Sequence, residues 1–159
     1  MTQLTGYWLL VTGYEIAGDC MRKRTKAREC ALQMLYSIDI AKAQPGEEIE
    51  TYWKNSEEED KEVRKFANMI VRGVMKNRAV IDKMISKYAT NWNISRMAVI
   101  DRNIIRLAAF ELLFTDDIPP KVSINEAIDI AKRYGDKDSG SFVNGILDKI
   151  HKTESKKAI

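Results

Sequence analysis

Residues 22–28 read RKRTKAR and place five bases, Arg22, Lys23, Arg24, Lys26 and Arg28, in seven positions without an acid. Ammonium and guanidinium groups at this density neutralise phosphates and release their counterions. Arginine adds a planar face for stacking and a fork of donors for bases. If all five met phosphates on a single strand, the log–log salt slope would be about −3.5. The plainer reading is a solvated, frayed helix terminus. Cations at a helix N-terminus oppose the macrodipole, typically by ~0.3–1 kcal/mol each, so five of them there call for a compensating function. Charge alone does not separate RNA from DNA.

Two other clusters could carry chemistry. Asp101, Arg102, Arg106 and Glu111 fall in one apolar stretch, and Arg102 and Arg106 lie four apart on one helix face. Structural ion pairing and ligand binding are both open there. The run Asp136-Lys137-Asp138-Ser139-Gly140-Ser141-Phe142 is either a capped helix start or an interaction surface presenting Phe142. No catalytic residues, metal ligands or cofactor are expected. The sequence has no Walker loop and no GxGxxG. His151 is the single histidine, and Cys20 and Cys30 stand outside any CxxC or Cys/His pattern. Free thiols in a reducing cytoplasm are the simple expectation.

The elements that must position these groups read as helices. Only 3 prolines and 8 glycines in 159 residues leave room for long helices, and strand-type alternation is nearly absent. The chain is long enough for one domain, or two small subdomains sharing a core. Net charge is +3, but residues 46–62 hold eight acids against Lys54 and Lys61. One end can therefore attract polyanions while another repels them. From Thr25, the residues Ala27, Cys30, Ala31, Met34, Leu35 and Ile38 keep the spacing of one helix face, with the bases at and before its first turn. Gln44-Pro45-Gly46 breaks that helix, and a short one over Glu47–Lys54 can bury Ile49 and Trp53. Next comes a long pattern from Glu58 to Tyr88, with a kink or break at Gly73 or Asn77-Arg78. Ser95–Phe114 is the expected central helix, broken near Asp101. Ser123 and Glu126 form a capping box, Gly135 suits a helix end, and a last helix starts near Asp138 or Ser139.

Residues 1–20 differ in character from the rest of the chain. Their apolar patch, Tyr7–Val11, is too short for a membrane span, and no base precedes Arg22 to make a secretory leader. They read either as an accessory segment docking on the domain or as a poorly ordered extension, and the extension is expected. Met21 opens a sequence that reads as a complete domain over 21–152, with a basic tail, 153–159, after it.

Three strings are recognisable: RKRTKARECALQMLYSIDI, WNISRMAVIDRNIIRLAAFELLF and IPPKVSINEAIDIAKRYGDKDSGSFVNGILDKI. They resemble, in order, the first helix, the central helices and the last two helices of the NusB transcription antitermination family. The resemblance covers about residues 21–152. It implies an all-α bundle of about seven helices in two packed subdomains. It implies a cytoplasmic, non-enzymatic factor that binds boxA RNA jointly with NusE, a ribosomal small-subunit protein. That factor joins the RNA polymerase elongation complex through other Nus factors and supports transcription of ribosomal RNA operons. Carried over by position, Arg22, Lys23, Arg24, Lys26, Arg28, Arg106 and Phe142 take RNA roles, and Tyr36, Asp101 and Asp138 face NusE. Thr25 stands where the family commonly has another base, and Asp101 replaces its usual Glu. Some members self-associate, so a homodimer stays open. Similar domains also precede a ribosomal RNA cytosine methyltransferase, which makes an enzyme fragment the rival reading. A purely protein-binding helical module is the third.

Overall fold

The structure, a computed structural model, describes residues 5–154, with side chains from Gly18 onward. Within them, seven α-helices succeed one another: α1 (Thr5–Ala41), α2 (Pro45–Lys54), α3 (Lys61–Lys76), α4 (Arg78–Tyr88), α5 (Val99–Phe114), α6 (Pro120–Tyr134) and α7 (Ser139–Glu154). A 3-10 turn, Ile94–Arg96, precedes α5, and no strand occurs among the described residues. None of these helices is long and apolar enough to cross a membrane. The all-α expectation and its seven helices hold.

α1, α2 and α3 pack on one another, and α4, α6 and α7 gather around α5. α5 also packs on α1 and α3, so it is the spine of one continuous core. Its sequence accounts for this place. From Asn103 to Glu111 every residue is buried, as expected of a helix wrapped by neighbours on all sides. On α1 the face Ala27, Cys30, Ala31, Met34, Leu35, Ile38 is buried, as its spacing predicts. Both cysteines are free thiols, Cys20 exposed and Cys30 buried.

α3 crosses α5 closely at Gly73. A Cβ there would lie 2.2 Å from the Phe110 ring. Ala normally favours a helix over Gly by ~1 kcal/mol. Here the Phe110 ring would have to leave its place, and overpacking of this kind costs about 1–3 kcal/mol. Gly73→Ala is therefore expected to lower the denaturant midpoint, measured by circular dichroism, rather than raise it.

Several boundaries differ from the sequence reading, each for a local reason. α1 starts at Thr5, not near Thr25, so the bases of 22–28 lie within a continuous helix. The macrodipole penalty of a helix start does not arise there. The side chains of residues 1–17, and all of 1–4 and 155–159, lie outside the described residues, and with them most of the extension and tail. α6 starts at Pro120, which suits the first helical position because it lacks an N–H to satisfy. Ser123 is thus inside the helix and buried, not a cap, and Glu126 turns towards α1. The central stretch breaks at Met97-Ala98, before Asp101. The pattern beyond Glu58 divides at Asn77, whose side-chain amide donates to the Gly73 carbonyl at 2.8 Å.

Candidate nucleic-acid interface

Helical phase divides the five bases of α1 into sets with different surroundings. Arg28 points inward and is 2% exposed. Its Nε donates to Glu111 Oε1 at 2.7 Å, and its Nη2 reaches Glu111 Oε2 at 3.3 Å. Nη1 lies 3.6 Å from Glu126 Oε2, and the guanidinium sits 5.3 Å from the Phe66 ring centre. This corrects the expectation of five outward bases: Arg28 ties α1 to α5 and α6 and presents no face to a polyanion. Arg24, one turn earlier, lies 5.1 Å from the centre of the same Phe66 ring and pairs with Asp117 at 3.3 Å. Lys23 turns to α3, with Glu62, Asp60 and Asp19 carboxylates at 2.8, 3.2 and 3.4 Å. The hydrogen bond to Glu62, then that to Asp60, holds its ammonium well above the usual lysine range.

Arg22 and Lys26 remain. They are exposed, four residues apart on one face, and form no ion pair among the described residues. They are the cations of the segment that a phosphate can approach without displacing an acid.

Arg106, one of the two RNA contacts expected outside the basic segment, is also interior, at 4% exposure. Its Nη1 donates to Asp39 Oδ2 at 3.0 Å, and its Nε and Nη2 donate to the Asp82 carboxylate at 2.7 and 3.0 Å. Arg102 Nε and Asn103 Nδ2 converge on the same Asp39 oxygen at 2.6 and 3.0 Å. Of the two readings of this cluster, structural ion pairing is what the geometry displays. Asp39 is its hub, and no motif in the sequence singles it out. Burial pushes the Asp39 carboxyl up, but the Arg102 and Asn103 hydrogen bonds and the Arg106 charge outweigh it and bring it to about 2. A folded value below the unfolded 3.8 means that this stabilisation is full above the unfolded value and disappears as pH falls through about 2. Asp39→Asn is expected to flatten the acid limb of a stability–pH curve between about pH 4 and pH 2, read from thermal melts.

Three of the remaining predicted residues meet. Asp101, Asp138 and Phe142 line one cavity of about 270 Å³, together with Trp92, Met97 and Ser139. The Trp92 and Phe142 rings meet edge to face, centres 5.7 Å apart at 71°. Trp92 is 56% exposed and Phe142 half-buried against the core. Asp101 is buried, and its Oδ1 has no hydrogen-bond partner among the described residues. Burial raises its carboxyl above the usual range; the Ser139 hydroxyl opposes this and the Asp136 charge adds to it. The α7 start is well formed: Ser139 Oγ accepts from the Asp136 N–H at 3.0 Å, and Asp136 Oδ1 accepts from the Asp138 N–H at 3.1 Å. Both bonds close the turn before α7 rather than cap an N–H of the helix itself, and Phe142 stands in the first turn of that helix, its N–H donating to the Asp138 carbonyl at 3.0 Å. Trp92 escapes a sequence reading because it sits in a loop without periodicity. Tyr36 lies outside this cavity, on α1, 39% exposed and one turn before exposed Ile40.

The chemistry offered is a pair of free cations on one helix and an aromatic-walled, carboxylate-bearing cavity elsewhere. The profile of the NusB family matches residues 25–152. The transcription antitermination protein NusB of Syntrophus aciditrophicus is 48% identical over 145 residues, 89% of each chain. The protein of that name from Anaeromyxobacter dehalogenans is 50% identical over 128 residues, 80% of this chain and 89% of its own. Among solved structures, T. maritima NusB superposes with a TM-score of 0.75 at 38% identity, over 86% of this chain and 97% of its own. A crystal structure of antitermination factors NusB and NusE in complex with dsRNA gives 0.77 at 31% identity, over 83% and 98%. On the family profile and these identities, the chain belongs to the NusB family.

Proposed function

We propose that the protein is a non-enzymatic antitermination factor that binds boxA-type RNA together with NusE. The observation that carries this reading is the outward pair Arg22 and Lys26, left unpaired among the described residues on a helix whose other bases are tied to the fold. An exposed, rigidly mounted pair of cations suits a phosphate backbone. The solved relative bound to NusE and RNA supports the same partners. In this reading the Trp92–Phe142 wall stacks an unpaired base, as aromatic side chains do for single strands. Asp101 and Asp138 share that cavity, so in this reading RNA and NusE meet there side by side, while exposed Tyr36 and Ile40 offer NusE a second patch on α1. The complex acts in the cytoplasm, on the RNA polymerase elongation complex through other Nus factors, during ribosomal RNA synthesis.

A mobility-shift titration with boxA RNA, with and without NusE, tests the reading. Binding is expected, and tighter with NusE; no shift under either condition at low salt would contradict it. Loss of a stacked base contact is worth about 1–3 kcal/mol. Phe142→Ala is therefore expected to weaken RNA binding by roughly tenfold in the same titration.

A further inference from the structure

One face of α1 is lined by Gly18, Met21, Arg22, Thr25, Lys26 and Glu29, at spacings of i, i+3, i+4, i+7, i+8 and i+11. Arg133, in the last turn of α6, closes the other side and leaves an open groove of about 450 Å³. We propose that this groove carries the RNA backbone past α1, with Arg133 as a phosphate-binding residue outside the basic segment; this rests on the RNA-binding reading above.

Charge and shape both favour a nucleic-acid strand. Three cations, Arg22, Lys26 and Arg133, face one carboxylate, Glu29. Glu29 is nearly buried and already accepts a hydrogen bond from Arg133 Nη1. That bond fixes one arm of the guanidinium, whose side chain is otherwise 55% exposed. A guanidinium held by one arm has the rest of its fork oriented beforehand, so less side-chain freedom is lost when it grips a phosphate. Met21, 62% exposed, adds an apolar surface on which a ribose or base can rest. At the far end Gly18 has no side chain, and nothing described lies within 4 Å of where a Cβ would be. The groove thus continues a turn beyond Arg22. The opposite face of the helix, with Lys23 against Asp60 and Glu62, is acidic by comparison and would repel a strand.

The experiment is the salt dependence of binding to a single-stranded boxA RNA oligonucleotide, without NusE, beside a separate titration with NusE alone, for wild type, Arg133→Ala, Arg133→Lys, Arg22→Ala and Lys83→Ala. Thermal melts on each variant show that it is folded. Losing one phosphate contact on a single strand reduces the log–log slope by about 0.7. Arg133→Ala is expected to show that reduction and roughly tenfold weaker binding, because a charge-assisted contact is lost. Arg133→Lys keeps the charge and recovers part of the loss, while Lys83→Ala, a surface charge on α4, changes little. Arg133→Ala at wild-type slope and affinity, with Arg22→Ala impaired, overturns the groove and leaves the basic segment standing. Equal losses from Lys83→Ala and Arg133→Ala overturn it too, because net charge then explains both. If Arg133→Ala weakens only NusE binding, the groove holds a protein and the inference fails. If neither Arg22→Ala nor Arg133→Ala matters while wild type binds, the groove is overturned and the RNA site lies elsewhere; no binding by wild type at low salt is what overturns the RNA-binding reading itself.

Discussion

Arg28→Ala is expected to cost the fold about 3–5 kcal/mol, the range for removing one partner of a buried ion pair. The loss is large because of what stays behind. Glu111 is 1% exposed in the last turn of α5, between Phe110 and Leu112, and the Arg28 guanidinium donates to both of its carboxylate oxygens. Without that guanidinium a carboxylate is stranded where water cannot reach it. Glu126 would lose a cation as well. Urea or guanidinium denaturation monitored by circular dichroism measures the change. The double variant Arg28→Met with Glu111→Leu is expected to recover most of it, since well-packed apolar groups can replace a buried pair at little net cost. A single variant within about 1 kcal/mol of wild type would show that the pair does not hold α1 to α5. Any RNA-binding defect of Arg28→Ala is then a consequence of a loosened helix, not of a lost phosphate contact.

Reversing Arg22 and Lys26 to Glu is expected to have the opposite signature. Both side chains are exposed and unpaired among the described residues, so stability should change by no more than about 0.5 kcal/mol. Each charge-assisted hydrogen bond to phosphate is worth about 1.5–3 kcal/mol, so losing two weakens RNA binding by on the order of a hundredfold or more. The substituted carboxylates add repulsion, which grows as salt is lowered. Binding titrations beside thermal melts separate the two effects. Retained affinity in a folded Arg22→Glu/Lys26→Glu protein would move the RNA site elsewhere.

Local and distant information divide what can be read from the chain. The buried face of α1 is legible because residues 27 to 38 repeat at the helical period, and nothing tertiary is needed to see it. The start of α1 is not, because the apolar stripe is what marks a helix and residues upstream of Thr25 lack it. The false capping box at Ser123 has a clear origin. A Ser and a Glu three apart cap a helix only when a start lies there, and the same spacing puts both on one face within a helix. Pro119-Pro120 is the better signal. The charges of the basic segment are legible, but their division is not. Arg28 and Glu111 stand 83 residues apart, and Arg106 and Asp39 67 apart. Which bases are committed to the fold depends on those partners. Helical phase does contain a hint: Arg24 and Arg28 share one side of α1, while Arg22 and Lys26 share another. For the cavity at α7, Asp101, Asp138 and Phe142 emerge one by one through the family resemblance. Their meeting in one place, with Trp92 as its outer wall, needs the three-dimensional packing of the 3-10 turn, α5 and α7.

The central claim is that within one stretch of basic residues the outward pair grips RNA while the inward arginine holds the fold. The most direct measurement is the salt dependence of boxA RNA affinity for the protein with NusE, for wild type and for Arg22→Ala/Lys26→Ala. The double variant, melting like wild type, is expected to lose about 1.4 from the magnitude of the log–log slope, two single-strand phosphate contacts. An unchanged slope in a folded double variant would contradict the claim.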